Sequence, residues 1–495
     1  MSILTALMLE PYKDIKGNLG ILEVHDGSIK RIPQKEWYDP KYGKEGLEIL
    51  NRLGEDYRWI LPRDVTLEDL TNSLPDLHRR LCTFIRKYIW FSDEDTYDLV
   101  ANWVISTYFR DQFRTSPLLI FDGVTVAGKT TALKVLEQVV YRGLFTESSS
   151  GAAIARDITD FDTTILLDEV LDGLNSDRGG DIYTMMKSCF QQGGMWIRAD
   201  PKGRHNHKYN TYTSMAISIR GDALPEDVYN RGIRINMTSM PEGTELEDID
   251  FCEEDDEHGP TSPAQLRTEL YALKVYAAAY SNTPSWAGDK RLVNFSDEII
   301  RTKQHFTQRM DNGQWMYSYI LGMEPDAPQI RDRNRKIATT LYSIGLATMT
   351  ERAIVEMIIK QDQANKEIAA DTPEALTFAA LKEILEARWK EEGALHKHMT
   401  PSLFCFLLDG ITTTDVAKRY NEILQEQGNA PREPIPTSKV TARLNALGLS
   451  YKRGSGNKSY MDPKDANFTP NWMRCISKYD IRSLTKYRRL IDDIE

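Results

Sequence analysis

Apolar and polar positions along the chain follow the two periods of regular structure, and they predict an α/β fold. GILEVHDGSIKRI alternates on both sides of Asp26-Gly27, which predicts a β-hairpin. Helical spacing in residues 93–113 leads to the apolar run PLLIFDG, and TTALKVLEQVVYRG then predicts a helix of about four turns. TTILLDEV and SMAISIRGD are short apolar runs typical of buried parallel strands, and MWIRAD and HKYNTY predict two strands around PKGR.

The same patterns divide the chain into successive segments. A small mixed unit comes first, and an α/β core, an acidic loop, a mainly helical region, a second folded unit and a basic tail follow it. The predicted bounds, in that order, are 1–80, 81–241, 242–262, 263–361, 373–470 and 471–495.

Composition narrows the class of protein. The 495 residues are too many for one ordinary domain, and 41% apolar and 27% charged residues are usual for a globular protein. The sequence lacks an apolar run of about 18 residues and a basic leader, so we expect a cytoplasmic protein without a membrane contact. The five cysteines contain no C-x-x-C pair, which favours reduced thiols over a disulfide scaffold or a zinc site.

The distribution of charge along the chain changes what the net charge indicates about a nucleic-acid partner. The chain carries −11, and residues 242–257 hold ten acidic and no basic side chains, which leaves −1 for the rest. Such an acidic run is typical of a solvated loop. The overall charge therefore neither supports nor excludes nucleic acid as a partner, and local basic segments must decide.

One segment fits the phosphate-binding pattern G-x-x-x-x-G-K-[ST] position by position, between an apolar strand and a helix. Glycines let successive backbone N–H groups and a helix N-terminus face the phosphates. Lys129 is expected to reach the outer phosphates of ATP, and the Thr130 hydroxyl to bind Mg²⁺. The predicted nucleotide-binding residues are Gly123, Val124, Thr125, Val126, Ala127, Gly128, Lys129, Thr130 and Thr131.

An acidic pair, Asp168-Glu169, ends the apolar run ILL, 39 residues after Lys129. The carboxyl ends of parallel strands are where α/β sheets hold ligands. We expect Asp168 to hold the metal through its water shell and Glu169 to orient the attacking water. The two segments together predict Mg²⁺-dependent hydrolysis of a nucleoside triphosphate.

At this point the sequence resembles a family. Residues 105–237 look like the AAA+ ATPase core of superfamily 3 helicases and of related primase-helicase proteins from viruses, plasmids and archaeal mobile elements. The matching pieces stand in the family's order: STYFRDQFRTSPLLIFDGVTVAGKTT, TTILLDE, GGMWIRADPKGRHNHKY, SMAISIRGD and LPEDVYNRGIRI. They cover about a quarter of the chain strongly, and the flanking regions follow only in outline.

The resemblance implies a homo-oligomeric ring, usually a hexamer, with ATP between neighbouring subunits. Arg231 stands where the family places its arginine finger, with Arg234 as the alternative; a guanidinium there stabilises charge on the transferring phosphoryl group. Mainly helical residues 263–361 would form the lid.

The sensor residues that the resemblance implies are less well defined in this sequence. The family commonly has Asn at the tip of the strand before the finger, and this chain has none there, so Arg220 or Ser218 is the substitute. A second sensor would come from the lid, where Arg267, Arg333 and Arg335 are the candidates.

The family also has a β-hairpin before the sensor strand that projects into the pore of the ring. Residues 195–212 have that form, and cations cluster at or near the expected tip. Contacts of this kind bind phosphates without reading sequence, so a single DNA strand in the pore is the expected partner. The alternative is an ordinary exposed hairpin. The predicted contacts are Lys202, Arg204, His205 and Lys208.

Residues 373–470 supply a second basic region. Two predicted helices precede two short strands joined by Gly-Ser-Gly, which is the order of a winged helix and resembles the C-terminal domains of such motors. Residues 432–460 hold six Lys or Arg against one Glu, which suits contacts with DNA phosphates. Protein contacts or ATPase regulation are the alternatives. The predicted DNA contacts are Lys439, Arg443, Lys452, Arg453 and Lys458.

The sequence thus predicts an ATP-driven DNA motor, a helicase-like ring ATPase of a mobile, viral or plasmid genome. Two other functions use the same nucleotide site. One is an AAA+ ATPase that remodels or loads proteins, and the other is a regulatory or defence ATPase that switches assembly without unwinding DNA. The first 80 residues hold no acidic or metal constellation for a polymerase, so we do not predict primase activity.

Overall fold

Three antiparallel strands begin the fold in the computed structural model: β1 (Leu9–Lys13), β2 (Leu19–His25) and β3 (Ser28–Pro33). Pairing of β2 with β3 ends at His25↔Ser28, which confirms the hairpin predicted around residues 26 and 27. Three helices follow: α1 (Gly43–Glu55), α2 (Leu74–Tyr88) and α3 (Asp95–Tyr108).

The structure describes most but not all of the chain. The described residues are 4, 9–14, 16–25, 28–55, 59–66, 69, 73–123, 127–147, 149–168, 177–199, 206–220, 224–238, 240–241, 243–248, 259–280, 332–370, 373–391, 399–426, 434–449, 451–453, 459–465 and 467–479. In that part of the chain, no helix is both long and apolar enough to cross a bilayer.

A five-stranded parallel sheet forms the centre of the fold. Its region contains β4 (Leu118–Gly123), α4 (Lys129–Glu137), β5 (Gly143–Thr146), α5 (Gly151–Phe161), β6 (Thr164–Leu167), α6 (Asp177–Ser188), β7 (Met195–Ala199), β8 (Asn206–Asn210), β9 (Met215–Ile219), α7 (Glu226–Tyr229) and β10 (Gly232–Met237). The order in the sheet is β10-β4-β9-β6-β5, and every pair is parallel. Buried apolar side chains line β4, β6 and β9, as in sheets covered on both faces. The α/β core with a parallel sheet is therefore confirmed.

The helix after the glycine-rich loop is shorter than its apolar spacing predicts. α4 ends at Glu137, and the apolar residues that follow turn into β5 instead of a further helical turn. The turn contains Arg142, whose φ of 48° is in the left-handed region, immediately before β5. The Arg142 guanidinium is fully buried and donates to Glu10 Oε2 at 2.8 Å, so a tertiary ion pair offsets the local strain.

The N-terminal sheet and several later helices pack with the α/β core in one compact unit, Met1–Gln361. The helices in question are α8 (Pro263–Tyr280), α9 (Asp332–Thr348) and, as far as Gln361, α10 (Glu351–Ala370). Arg80 of α2 donates to Glu269 Oε1 of α8 at 2.9 Å, and Asn102 of α3 donates to Thr350 at 2.7 Å. These polar contacts hold α8 against α2, and the turn between α9 and α10 against α3.

The second compact unit is Asp362–Glu495, and its described part has its own apolar core. It contains α11 (Pro373–Glu391), α12 (Pro401–Leu408), α13 (Thr413–Glu426), α14 (Thr437–Ala446), β11 (Tyr451–Arg453), β12 (Ser459–Met461) and α15 (Phe468–Tyr479). Phe378, Phe404, Phe468 and Trp472 stack at its centre. β11 and β12 pair in antiparallel fashion, so two helices and a hairpin follow one another in the predicted order.

Candidate nucleotide site

The glycine-rich loop leaves the sheet at the carboxyl end of β4 and enters α4 at Lys129. Gly128 has φ of 81°, a conformation that side chains with a Cβ rarely adopt. A Cβ on Gly123 would come within 2.2 Å of the backbone oxygen of Met237, in the neighbouring strand β10. Both ends of the predicted loop therefore need glycine for steric reasons. Val124, Thr125 and Val126 lie outside the described residues.

Side chains of the helix that begins at this loop meet the end of β6. Thr130 donates its hydroxyl to Asp168 Oδ2 at 2.6 Å, and Asp168 is only 4% exposed. Lys129 folds back across the loop and donates to the Gly123 carbonyl oxygen at 2.8 Å. The structure thus brings together the ammonium, hydroxyl and carboxylate that the sequence assigns to phosphate and metal. Hydroxyl and carboxylate oxygens are ligands that suit Mg²⁺.

Besides Thr130, the side chain of Ser218 contacts Asp168 at this end of the sheet. It lies on β9, between β4 and β6, and donates a short hydrogen bond to Asp168 Oδ1. Thr130 and Ser218 therefore hold the two oxygens of one carboxylate from opposite sides. The sequence offers Ser218 and Arg220 equally as polar residues of this strand. Arg220 is exposed just beyond the strand, and Glu169 lies outside the described residues.

Asp122 and Arg234 form an ion pair at the end of β4, directly before the glycine-rich loop begins. Arg234 donates through Nε to Asp122 Oδ2 at 2.7 Å, and the carboxylate is 4% exposed. Gln361 of α10 borders the same strand, since it accepts from the Arg234 backbone N–H at 3.1 Å and donates to the Gly232 oxygen at 2.8 Å. Arg234 is thus engaged within its own chain, which disfavours it as a group that reaches a neighbouring subunit.

Arg231 lies at the opposite end of the sheet. Its backbone oxygen accepts from the Leu118 N–H at 3.1 Å, at the start of β4, whereas the glycine-rich loop begins at the end of β4. Five residues of strand separate the two ends, which is about 17 Å. Arg231 therefore cannot reach the nucleotide site of its own chain.

Local contacts hold Arg231 in place. Its guanidinium donates to the backbone oxygen of Asp227, while the Asp227 carboxylate accepts from Lys187 at 2.7 Å and Tyr183 at 2.8 Å. Burial acts to raise the pKa of Asp227, but these two donors outweigh it and the pKa lies below its ordinary value. Since Lys187 and Tyr183 belong to α6, that helix positions the turn that carries Arg231.

Arg267 is placed away from the nucleotide site, so it cannot serve there as a sensor in this chain. It is buried against the far end of α4, where it donates to the backbone oxygen of Gln138 at 2.5 Å. The nine residues of α4 separate it from the loop by about 13 Å. A cation at this end of a helix satisfies an unpaired carbonyl and favours the helix dipole. The side chains of Arg333 and Arg335 lie outside the described residues.

The predicted hairpin before β9 forms, with β7 and β8 paired from Met195↔Asn210 to Ala199↔Asn206. One face carries Trp196 and Arg198, and Arg198 donates to Asp181 of α6 at 2.8 Å. The other face is exposed and carries Met195, Ile197 and, opposite Ile197, Lys208. Lys202, Arg204 and His205, the predicted contacts at the tip, lie outside the described residues.

The basic residues of the second unit differ in exposure. Lys439 of α14 is exposed, and so is Lys452 of β11. Arg443 instead lies half-buried over the ring of Tyr420, with its guanidinium carbon 5.1 Å from the ring centre. Arg443 thus supports the packing of α14 on α13. The side chain of Arg453 and all of Lys458 lie outside the described residues.

Comparison with known proteins adds no family to this geometry. No protein-family model matches the chain, and no curated protein matches it in sequence. The contacts of the site, together with the loop and strand that position it, therefore carry the functional argument.

Proposed function

We propose that this protein is an ATP-hydrolysing AAA+ ring motor that acts on a DNA strand. The observation that carries the proposal is the convergence of Lys129, Thr130 and Asp168 where β4 and β6 end. An N–H-rich loop at a helix start, a lysine and a buried metal-binding carboxylate are the recurring parts of phosphoryl transfer sites.

The chain's own residues then have separate tasks. Lys129 exchanges its bond to the Gly123 oxygen for the outer phosphates, and Thr130 and Asp168 hold Mg²⁺. Bound Mg²⁺ neutralises charge on the phosphate oxygens. Ser218 fixes the Asp168 carboxylate so that it needs no reorganisation, and Glu169 orients water for attack.

A ring follows from the position of Arg231. Arg231 lies about 17 Å from this site, at the other end of the sheet, and we assign to it the stabilisation of charge on the transferring group. A head-to-tail contact between copies would bring Arg231 of one chain to the loop of the next, and such contacts form a ring when the rotation between copies closes. Hydrolysis would then open and close the contact between subunits.

DNA as the substrate is supported by the exposed hairpin and the basic second unit. The Lys208 side of β8 is exposed, and the sequence has two further cations, Lys202 and Arg204, and His205 in the segment that follows β7. Lys439 and Lys452 expose charge on a helix and on a hairpin strand of the second unit, as a winged helix does when it contacts phosphates.

One observation favours a second function, the remodelling of proteins. Met195 and Ile197 are 52% and 54% exposed on the same hairpin face as Lys208. Large exposed apolar side chains suit contact with polypeptide as well as with bases. A protein remodeller would use this face and would be indifferent to the cations of the tip.

The experiment is ATPase activity with and without single-stranded DNA at several salt concentrations. We expect stimulation by DNA that falls steeply as salt rises, because phosphate contacts release counterions. Replacing both Lys202 and Arg204 with Ala should abolish stimulation and unwinding and leave basal ATPase intact. The matched control, Lys418→Ala, removes an exposed cation of α13 outside the predicted DNA contacts and should keep the stimulation by DNA.

One result tests the role of Glu169, and two others separate the DNA motor from the protein remodeller. Glu169→Gln should bind ATP and fail to turn it over, and an unchanged rate would refute the assignment of Glu169. No response to DNA at any salt would contradict the DNA motor. Loss of protein-stimulated turnover in Ile197→Ser, with no response to DNA, would favour the remodeller.

A further inference from the structure

A buried histidine, a cysteine and an aspartate converge between α2 and α3, away from the nucleotide site. His78 and Cys82 are one helical turn apart on α2, and Asp98 lies in the first turn of α3. The Cys82 Sγ is 3.6 Å from Asp98 Oδ1 and 4.0 Å from His78 Nε2. His78 Nε2 is 4.0 Å from the same Asp98 oxygen, so the three atoms form a nearly equilateral triangle.

The distance from the centre of that triangle to its corners matches the bond lengths of Zn²⁺ to such ligands. The point equidistant from the three atoms lies about 2.2 Å from each of them, and Zn²⁺ binds thiolate at about 2.3 Å and imidazole or carboxylate at about 2.0–2.2 Å. The helices thus already hold the three side chains at ligand separation. Cys82 Sγ also lies 3.8 Å from His78 Nδ1, so coordination requires a rotation of the His78 ring that directs Nε2 at the ion.

We propose that His78, Cys82 and Asp98 bind one Zn²⁺ ion. Sulfur and imidazole ligands favour zinc over Mg²⁺, which prefers oxygen ligands throughout. A thiolate and a carboxylate supply two negative charges, which balance the ion. Three protein ligands leave a fourth position for water.

The chemistry of binding follows from the contacts seen without the ion. The Cys82 S–H donates to Asp98 Oδ1, and on binding the thiol proton leaves to solvent as the Zn–S bond forms. His78 Nε2 lies 3.2 Å from the Asp98 backbone oxygen, so it exchanges that contact for the ion while Nδ1 carries the ring proton. Burial holds the pKa of His78 below its ordinary value, which favours the neutral form that metals require.

If the three side chains only supported the packing of the helices, they would make the same contacts but would bind no ion. Burial raises the pKa of Cys82 well above the ordinary thiol value, with Asp98 adding to the effect, so Cys82 alone would remain an inert protonated side chain. A zinc ion would instead join α2 to α3, the helix that leads into β4. The role that follows is structural support behind the strand of the glycine-rich loop.

The test is metal content and Co²⁺ binding of the full chain. We expect about one zinc per chain after purification from zinc-containing medium, and Co²⁺ in its place should give an intense thiolate charge-transfer band. Cys82→Ser should lose the band, and Asp98→Asn should weaken Co²⁺ binding by at least about 100-fold, since removing even a partner of a ligand costs 10–100-fold.

Matched controls keep the outcome decisive. Cys405→Ser removes another half-buried free thiol and should keep both the metal and the band. Lys129→Ala alters the nucleotide loop and should also keep them, which separates this ion from Mg²⁺ at the ATP site. Absence of the band from the folded wild-type chain, or equal bands in wild type and Cys82→Ser, would overturn the proposal.

Discussion

The two ends of the central sheet differ in what their polar side chains do. At the carboxyl end, Thr130 and Ser218 from two different elements bond to one buried carboxylate, Asp168. At the amino end, Arg231 bonds to the backbone of its own turn, and the nearest carboxylate is held by Lys187 and Tyr183. One end gathers two hydroxyls on a buried carboxylate, and the other holds Arg231 by contacts with its own turn.

Under the proposed function, this difference means that one chain holds two halves of a site that cannot meet within it. The strand between them is about 17 Å long, and both halves are fixed to a rigid sheet rather than to a loop that closes. We therefore expect a complete site to form between two copies, with the carboxyl end of one against the amino end of the next. Four predictions test this account of the two ends, from the largest expected effect on ATP turnover to the smallest.

Arg231→Ala should have the largest effect. We expect kcat to fall by about 10³-fold or more, as for other arginine fingers, with nucleotide affinity changed little. Steady-state ATPase assays and binding of a fluorescent ATP analogue measure the two quantities. Lys134→Ala, which removes an exposed cation of α4, is the control. Equal small losses in both variants would contradict the assignment.

Thr130→Ala should lower kcat by about 10²-fold, because it removes an oxygen that holds the metal and a donor to Asp168. The measurement is turnover as a function of Mg²⁺ concentration, where we expect a higher half-saturation value as well. Thr184→Ala removes a hydroxyl that only serves its own helix in α6 and should behave like wild type. A Mg²⁺ profile unchanged in Thr130→Ala would remove Thr130 from the metal site.

Ser218→Ala should cost about 10-fold in turnover, the lower end for a residue that orients a metal ligand. The Mg²⁺ dependence should shift in the same direction as in Thr130→Ala, since both hydroxyls act through Asp168. Ser106→Ala removes another buried serine, bonded within α3, and should leave the Mg²⁺ profile unchanged. A loss of stability with no change in that profile would make Ser218 purely structural.

Arg234→Lys should have the smallest effect on turnover and a measurable effect on stability. Lysine keeps the charge opposite Asp122 but loses the planar fork, so the free energy of unfolding should fall by about 1–2 kcal/mol. Arg231→Lys is the matched variant and should show the reverse, with lost turnover and unchanged unfolding. Denaturant unfolding and ATPase assays compare the pair. If only Arg234→Lys lowered turnover, Arg234 rather than Arg231 would be the arginine that acts on the nucleotide.

The features predicted correctly from sequence are those whose signal is local. Gly128 is needed because of its own backbone conformation, and the buried strands before Gly123 and Asp168 are continuous apolar runs. The β2–β3 hairpin likewise depends on a two-residue turn. These elements are specified within about a dozen residues each.

The features that the sequence left undecided or missed depend on contacts between distant segments. Ser218 and Arg220 are indistinguishable in sequence, and only the place of β9 next to β6 selects Ser218 as the partner of Asp168. Arg267 is one of many arginines until its packing at the end of α4 is known. His78, Cys82 and Asp98 follow no zinc-binding spacing, since two helices bring them together.

The most direct test of the shared site mixes two inactive variants. Lys129→Ala lacks a working loop but keeps Arg231, and Arg231→Ala has the opposite defect. Each alone should be nearly inactive. In an equimolar mixture, random assembly should place a sound loop beside a sound arginine at about a quarter of the contacts, so ATPase should return to about that fraction of wild type. A mixture no more active than its parts, with both variants assembled, would contradict the account.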